Sequence, residues 1–148
     1  MVQNENGKKE VLAKAAKLLS GTKAKTVYLA TNGSHGHPNL RAMVPIMVEG
    51  VKAIWFATSA KSNKVLELQN DNHAVVYFDA PRMAGECRLW GFVEILDDME
   101  SRKKVWNDMI ANHFPDGIES PDLRALRFDV TSGIYVNKNW EIFPFEIE

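Results

Sequence analysis

The stretch "WFATSAKSNK", Trp55 to Lys64, changes character halfway along: it begins as an apolar, aromatic run and ends in small hydroxyl and amide residues carrying two lysines. The first part continues "AIWFAT", Ala53 to Thr58, and reads as a buried strand. Beyond the polar corner, Val65, Leu66 and Leu68 fall at helical spacing and give a short helix ending near "QNDN". A strand that runs through such a corner into a helix presents unpaired helix N-terminal amides beside Thr58, Ser59, Lys61, Ser62, Asn63 and Lys64. The helix dipole, the free N–H groups and the two ammonium groups all favour an anion there. A plainer reading has Ser62 capping the helix and the lysines pointing into water. The residues alone leave both open.

Outward from this corner, apolar residues Val11, Leu12, Ala15, Leu18 and Leu19 follow helical spacing, which predicts an amphipathic helix over Lys8–Leu19. "TVYLAT", Thr26 to Thr31, reads as a strand, and "NGSHGHPN" after it as a hairpin turn. "LRAMVPIMV", Leu40 to Val48, is the next strand, with Pro45 marking an edge or bulge because it has no N–H for a ladder. After the corner and its helix come a buried strand "AVVYFD", a loop "APRMAGE", and a long strand Cys87–Leu96 in which Gly91 suggests a bulge. Asp97 and Asp98 can cap a helix over Met99–His113 that buries Val105, Trp106, Met109 and Ile110, with Pro115 and Gly117 to stop it. "LRFDVT" and "GIYVNKNWEIF" supply two last strands. Six or seven strands joined mostly by short turns predict a mainly β protein, an antiparallel sheet closed into a small barrel with flanking helices. Apolar strands on both faces leave two coverings open for part of the wall, a second subunit or the chain's own helices in a monomer.

At 148 residues, with 45% apolar and 25% charged residues, the expectation is one domain over 1–148 with a core of its own. A net charge of −1 gives no general attraction to nucleic acid or to an anionic membrane, so any anion site must be local. No window approaches the ~20 apolar residues of a membrane span, and the polar start "MVQNENGKKE" lacks a signal-peptide core, so a cytoplasmic protein is expected. Cys87 is the single cysteine, which excludes an internal disulfide and reads as a buried thiol. His35 and His37 flank Gly36 at a hairpin tip without a third ligand, and His73 and His113 stand alone, so no metal site is expected. No nucleophile elbow, paired carboxylates or CxxC motif supports a hydrolase or dithiol enzyme.

The order "LRAMVP", "WFATSAKSNKVLEL", "NDNHAVVYF" and "WGFVEIL" resembles the pyridoxamine 5′-phosphate oxidase-related FMN-binding split barrels, in particular their general stress protein branch. The resemblance implies a six- to seven-stranded split β-barrel that binds FMN at the interface of a homodimer. It implies that the phosphate lies at Ser62, Asn63 and Lys64, where the family has Ser-Arg-Lys; the arginine is missing here, and Lys61 is the candidate substitute. It places Thr58 beside the phosphate, Arg41 at the start of the flavin strand, and the backbone of Ala42, Met43 and Val44 against the isoalloxazine. Glu86 falls where the family has a flavin-contacting glutamine, and is either a sugar contact or a solvated loop residue. Trp140 matches a late family tryptophan, with core packing as its alternative.

The founding enzyme's substrate-phosphate lysine is replaced by Ile46, and its C-terminal Arg-x-His motif has no match, so oxidation of pyridoxamine phosphate is not expected. The resemblance therefore implies a flavin-dependent oxidoreductase passing electrons from NAD(P)H to an unidentified acceptor. No catalytic side chain is assigned, because hydride transfer to flavin needs none. The rivals are a flavin-binding stress protein without turnover, acting as carrier or sensor, and the same fold holding haem or a deazaflavin.

Overall fold

The computed structural model describes residues 5–21, 26–81 and 84–148. Its elements in chain order are α1 (Glu5–Ser20), β1 (Val27–Asn32), β2 (Pro38–Met43), β3 (Met47–Glu49), β4 (Ala53–Ser59), α2 (Asn63–Asn70), β5 (His73–Asp79), β6 (Gly85–Leu96), α3 (Met99–Lys104), α4 (Asp108–Ala111), β7 (Leu123–Asn137) and β8 (Ile142–Glu146). Among the described residues, eight strands form one antiparallel sheet in the order β2-β1-β5-β6-β7-β4-β3, with β8 on β7. The class is the expected one, mainly β with flanking helices in the split-barrel manner. The strand count of eight exceeds the six or seven expected from sequence.

The extra strand has a local cause. Pro45 divides the expected Leu40–Val48 strand into β2 and β3, which end up at opposite ends of the sheet path. At the other end of the chain, Ser132-Gly133 does not interrupt the sheet, and "LRFDVT" runs on through "GIYVN" as one strand, β7. Gly133 serves close approach here: a Cβ at this position would lie 2.6 Å from the Arg88 carbonyl oxygen and 2.7 Å from the Phe145 ring. The chain turns later, after Asn137, whose side-chain oxygen accepts from the Asn139 and Glu141 amides.

The core lies inside the curved sheet. Leu29, Val76, Leu89, Phe56, Phe78 and Phe128 are buried, and α1 closes one end with Val11, Ala15 and Leu19, the face its periodicity predicted. Burying each large side chain stabilises the fold by about 1.5–3 kcal/mol. Gly91 sits at the expected bulge, where the β6–β7 register shifts between Trp90 and Gly91.

The expected helix over 99–113 is broken. Asp98 caps α3 by accepting from the Ser101 amide, but Asn107 adopts extended backbone and caps a separate α4 by accepting from the Ile110 amide. Val105 and Ile110 are buried as expected, Trp106 is half-buried, and Met109 is 42% exposed because the break rotates it away from the sheet. Of the expected loop 80–86, Arg82 and Met83 lie outside the described residues, while Gly85 and Glu86 already belong to β6. Among the described residues, no helix is long and apolar enough to cross a membrane.

Candidate functional site

The corner between β4 and α2 is built by a change of period. β4 is buried on both faces through Phe56, and its last turn of chain brings Thr58 and Ser59 to the start of α2. Ser62 occupies the N-cap position with extended backbone, yet its side chain makes no capping bond. Instead, the Thr58 hydroxyl donates to the Ser62 oxygen at 3.3 Å, and Lys64 Nζ donates to the Thr58 oxygen at 3.0 Å. The capping reading is thus corrected: Thr58 and Ser62 form a hydroxyl pair with an ammonium group on it.

The two lysines part company. Lys61 is exposed, as is Asn63, whereas Lys64 is half-buried. Burial, and then the charge of Arg41, hold the Lys64 ammonium below its usual pKa. Among the described residues, Lys64 has no carboxylate within ion-pair distance. An ammonium group half-buried beside a guanidinium, with hydroxyls but no acid to meet it, is a place where an anion relieves an existing electrostatic cost. Ser59 is committed elsewhere, donating to Asp122 at 2.7 Å and accepting from the Lys61 amide.

Arg41 reaches the corner from β2. Its guanidinium donates to Thr31 Oγ1 at 2.7 Å, to the Leu29 carbonyl at 3.3 Å and to Glu67 Oε1 at 3.1 Å. Among the described residues β2 ends the sheet path and pairs only with β1, so one edge of Arg41, Ala42 and Met43 has no neighbouring strand there; Val44 lies just past its end. Sequence reasoning placed Arg41 on the flavin strand but missed its electrostatic reach to Lys64, and it missed Glu67 altogether. An acid in the second turn of a short helix carries no sequence signal of its own.

Glu86 and Trp140 stand apart from the corner. Glu86 is a buried strand residue, which corrects the solvated-loop alternative: it accepts from the Tyr77 hydroxyl at 2.8 Å and from Arg88 at 2.9 Å. Those hydrogen bonds hold its carboxyl below the usual range, while burial and then the Glu86 bond push Tyr77 up to about 12. Trp140 is 67% exposed with φ 64°, so core packing is not its role; a bulky side chain held in left-handed backbone at a turn is presented outward.

Cys87 is fully buried, and burial pushes its thiol up to about 12. His35 and His37 are exposed at the hairpin tip, and His73 pairs with Asp71 at 2.7 Å. Among the described residues, no group of three or more His, Cys, Asp or Glu is placed to hold a metal ion. A cleft of about 720 Å³ between α1 and the β7–β8 hairpin, lined in part by Leu12, Trp90 and Phe145, shares no residue with the corner.

Comparison with known proteins agrees with this architecture. A protein related to general stress protein 26 of Bacillus subtilis, from Clostridium acetobutylicum and of the pyridoxinephosphate oxidase family, is 30% identical with a TM-score of 0.81, covering 93% of this chain and 95% of that one. The general stress FMN/FAD binding protein of Xanthomonas citri is 22% identical with a TM-score of 0.71, over 95% and 96% of the two chains. A heme binding protein of Mycobacterium smegmatis shares the fold at 17% identity and a TM-score of 0.76, over 99% of this chain and 60% of that one. No curated protein matches the sequence. The family model for pyridoxamine 5′-phosphate oxidase-like proteins matches residues 12–145, and the chain accordingly belongs to that family.

Proposed function

We propose that this protein binds FMN, with the phosphate at the β4–α2 corner and the ring along the free edge of β2, and that it works as a flavin-dependent redox protein. The observation that carries the reading is Lys64: half-buried, beside Arg41, resting on the Thr58–Ser62 hydroxyl pair and lacking an acidic partner among the described residues. These donors suit a phosphate ester, with Arg41 supplying the guanidinium that Asn63 does not. Exposed Lys61 and Asn63 stand at the mouth of the corner as secondary donors, and Ser59 holds the corner to Asp122.

FMN, when bound, would supply the redox chemistry, hydride acceptance from NAD(P)H and electron transfer to an acceptor yet to be identified. The chain's share is placement and charge. In this reading the backbone of Ala42, Met43 and Val44 would direct hydrogen bonds at the pyrimidine edge of the ring, and Arg41 and Lys64 would offset the negative charge of the phosphate.

The site in this reading is completed by a second copy of the chain. Tyr28, Trp90 and Phe92 are large, exposed and on the outward face of β1 and β6, as an interface would need. Glu86 and outward-held Trp140 are then the groups a partner subunit offers to the flavin.

An absorption spectrum of freshly purified protein tests the cofactor. Flavin bands near ~450 nm that bleach on adding NAD(P)H support the oxidoreductase. Bands that do not bleach favour a carrier or sensor, and a Soret band would replace flavin with haem.

A further inference from the structure

We propose that Glu67 is the positioning residue of the phosphate corner: it holds Arg41 beside Lys64, and through that placement it sets the preference for a phosphorylated over an unphosphorylated flavin. The proposal rests on the FMN reading above. An acid so near an anion site opposes binding by its charge, which makes its location the thing to explain.

The Glu67 carboxylate is 9% exposed and uses both oxygens: Oε1 accepts from Arg41 at 3.1 Å and Oε2 from Asn39 Nδ2 at 2.7 Å. Asn39 and Arg41 are alternate residues of β2 and share a face, so one side chain on α2 grips the end strand at two successive positions. Their register partners on β1, Thr31 and Leu29, supply the remaining acceptors for Arg41. Thr31 also donates to Glu67 at 3.5 Å. Both N–H groups of Nη1 are thereby engaged, together with one of Nη2; among the described residues the Nε–H and the other Nη2–H are left for a further acceptor.

An arginine otherwise free to sample many rotamers is thus ordered before ligand arrives, and its charge stays beside Lys64, whose pKa registers it. Asn39 and Arg41 are separated from Glu67 by 28 and 26 residues in sequence, so the grip also fixes the free edge of β2 relative to the corner.

The test is the ratio of FMN to riboflavin affinity, measured by titration of Glu67→Ala, Glu67→Asp and Lys64→Ala beside the wild type. General loosening of the fold weakens both ligands and leaves the ratio alone. Glu67→Asp retains the charge and withdraws the carboxylate by one methylene, so it remains informative should Glu67→Ala fail to fold. Positioning predicts a ratio lowered about tenfold in either Glu67 variant, the size of one lost charge-assisted hydrogen bond. A ratio unchanged or raised in the folded Glu67 variants, with Lys64→Ala lowering it, overturns the role of Glu67 and leaves the phosphate corner standing. A ratio that Lys64→Ala also leaves unchanged overturns the corner itself, and the role of Glu67 with it.

Discussion

Lys64 and Glu67 stand three residues apart on α2, at a spacing that normally lets side chains meet, and they do not pair. Glu67 is taken by Arg41, and Lys64 turns to the Thr58 hydroxyl. This arrangement leaves one half-buried ammonium group without a counter-charge among the described residues, which is why the corner suits an anion.

Removing that ammonium group should therefore weaken FMN far more than riboflavin. A charge-assisted hydrogen bond is worth about 1.5–3 kcal/mol, or roughly tenfold to over a hundredfold in affinity. Titration of Lys64→Ala with both ligands checks this, and equal losses for the two would remove the phosphate from the corner.

The lowered pKa of Lys64 gives the corner a pH dependence of known sign. Below the lowered pKa the ammonium form persists and the phosphate increment is complete. As pH rises through that value, before the ordinary 10.5 is reached, the charge is lost and FMN affinity should fall toward that of riboflavin. Ligand-free stability moves the other way. The folded state binds fewer protons than the unfolded chain across this window, so this group's contribution to stability rises with pH there. Parallel titrations of the two flavins from neutral pH to about 10 read the effect, because titration of their common ring cancels in the ratio. A flat ratio would argue against Lys64 as the phosphate partner.

Gly91 should not tolerate a side chain. A Cβ there would come within 2.0 Å of the Asp129 carbonyl oxygen, which is backbone and cannot swing aside. Gly91→Ala should destabilise the protein by about 1–3 kcal/mol through forced backbone shifts at the bulge. Chemical denaturation of the variant measures it, and a midpoint equal to that of the wild type would contradict the close β6–β7 approach.

Cys87 should be silent in the native protein. Its side chain is fully buried and its thiol is pushed up to about 12, so alkylating reagents at neutral pH should modify it only after unfolding. Labelling followed by mass measurement, with and without denaturant, decides the matter; rapid native labelling would be the contrary result.

The dimer is tested through its exposed aromatic face. Sedimentation should report about twice 16.7 kDa for the wild type, and Trp90→Glu should shift the population to monomer by burying a charge at the interface. A wild-type monomer that still binds FMN tightly would defeat the two-subunit site.

What the sequence by itself determined was local. The amphipathic face of α1, the passage from β4 through a polar corner into α2 and the bulge at Gly91 are each written within a few residues, in the period of apolar positions or in the geometry of one residue type, whereas Pro45 marked an irregularity without telling that Leu40–Val48 would divide between the two ends of the sheet. Tertiary structure alone decided which polar groups meet. Arg41 and Glu67 are 26 residues apart and Ser59 and Asp122 are 63 apart, and nothing near either member names its partner. Glu86 in a loop and Glu86 buried on β6 read alike until Tyr77 and Arg88 are placed around it. Gly133 illustrates the same limit, since a glycine that ends a strand and one that admits a neighbouring ring differ only in what packs against them. Period and turn chemistry are properties of adjacent residues. Charge pairing and close approach depend on strand order, which brings distant segments together and so sets which cation at the corner is left to receive a ligand.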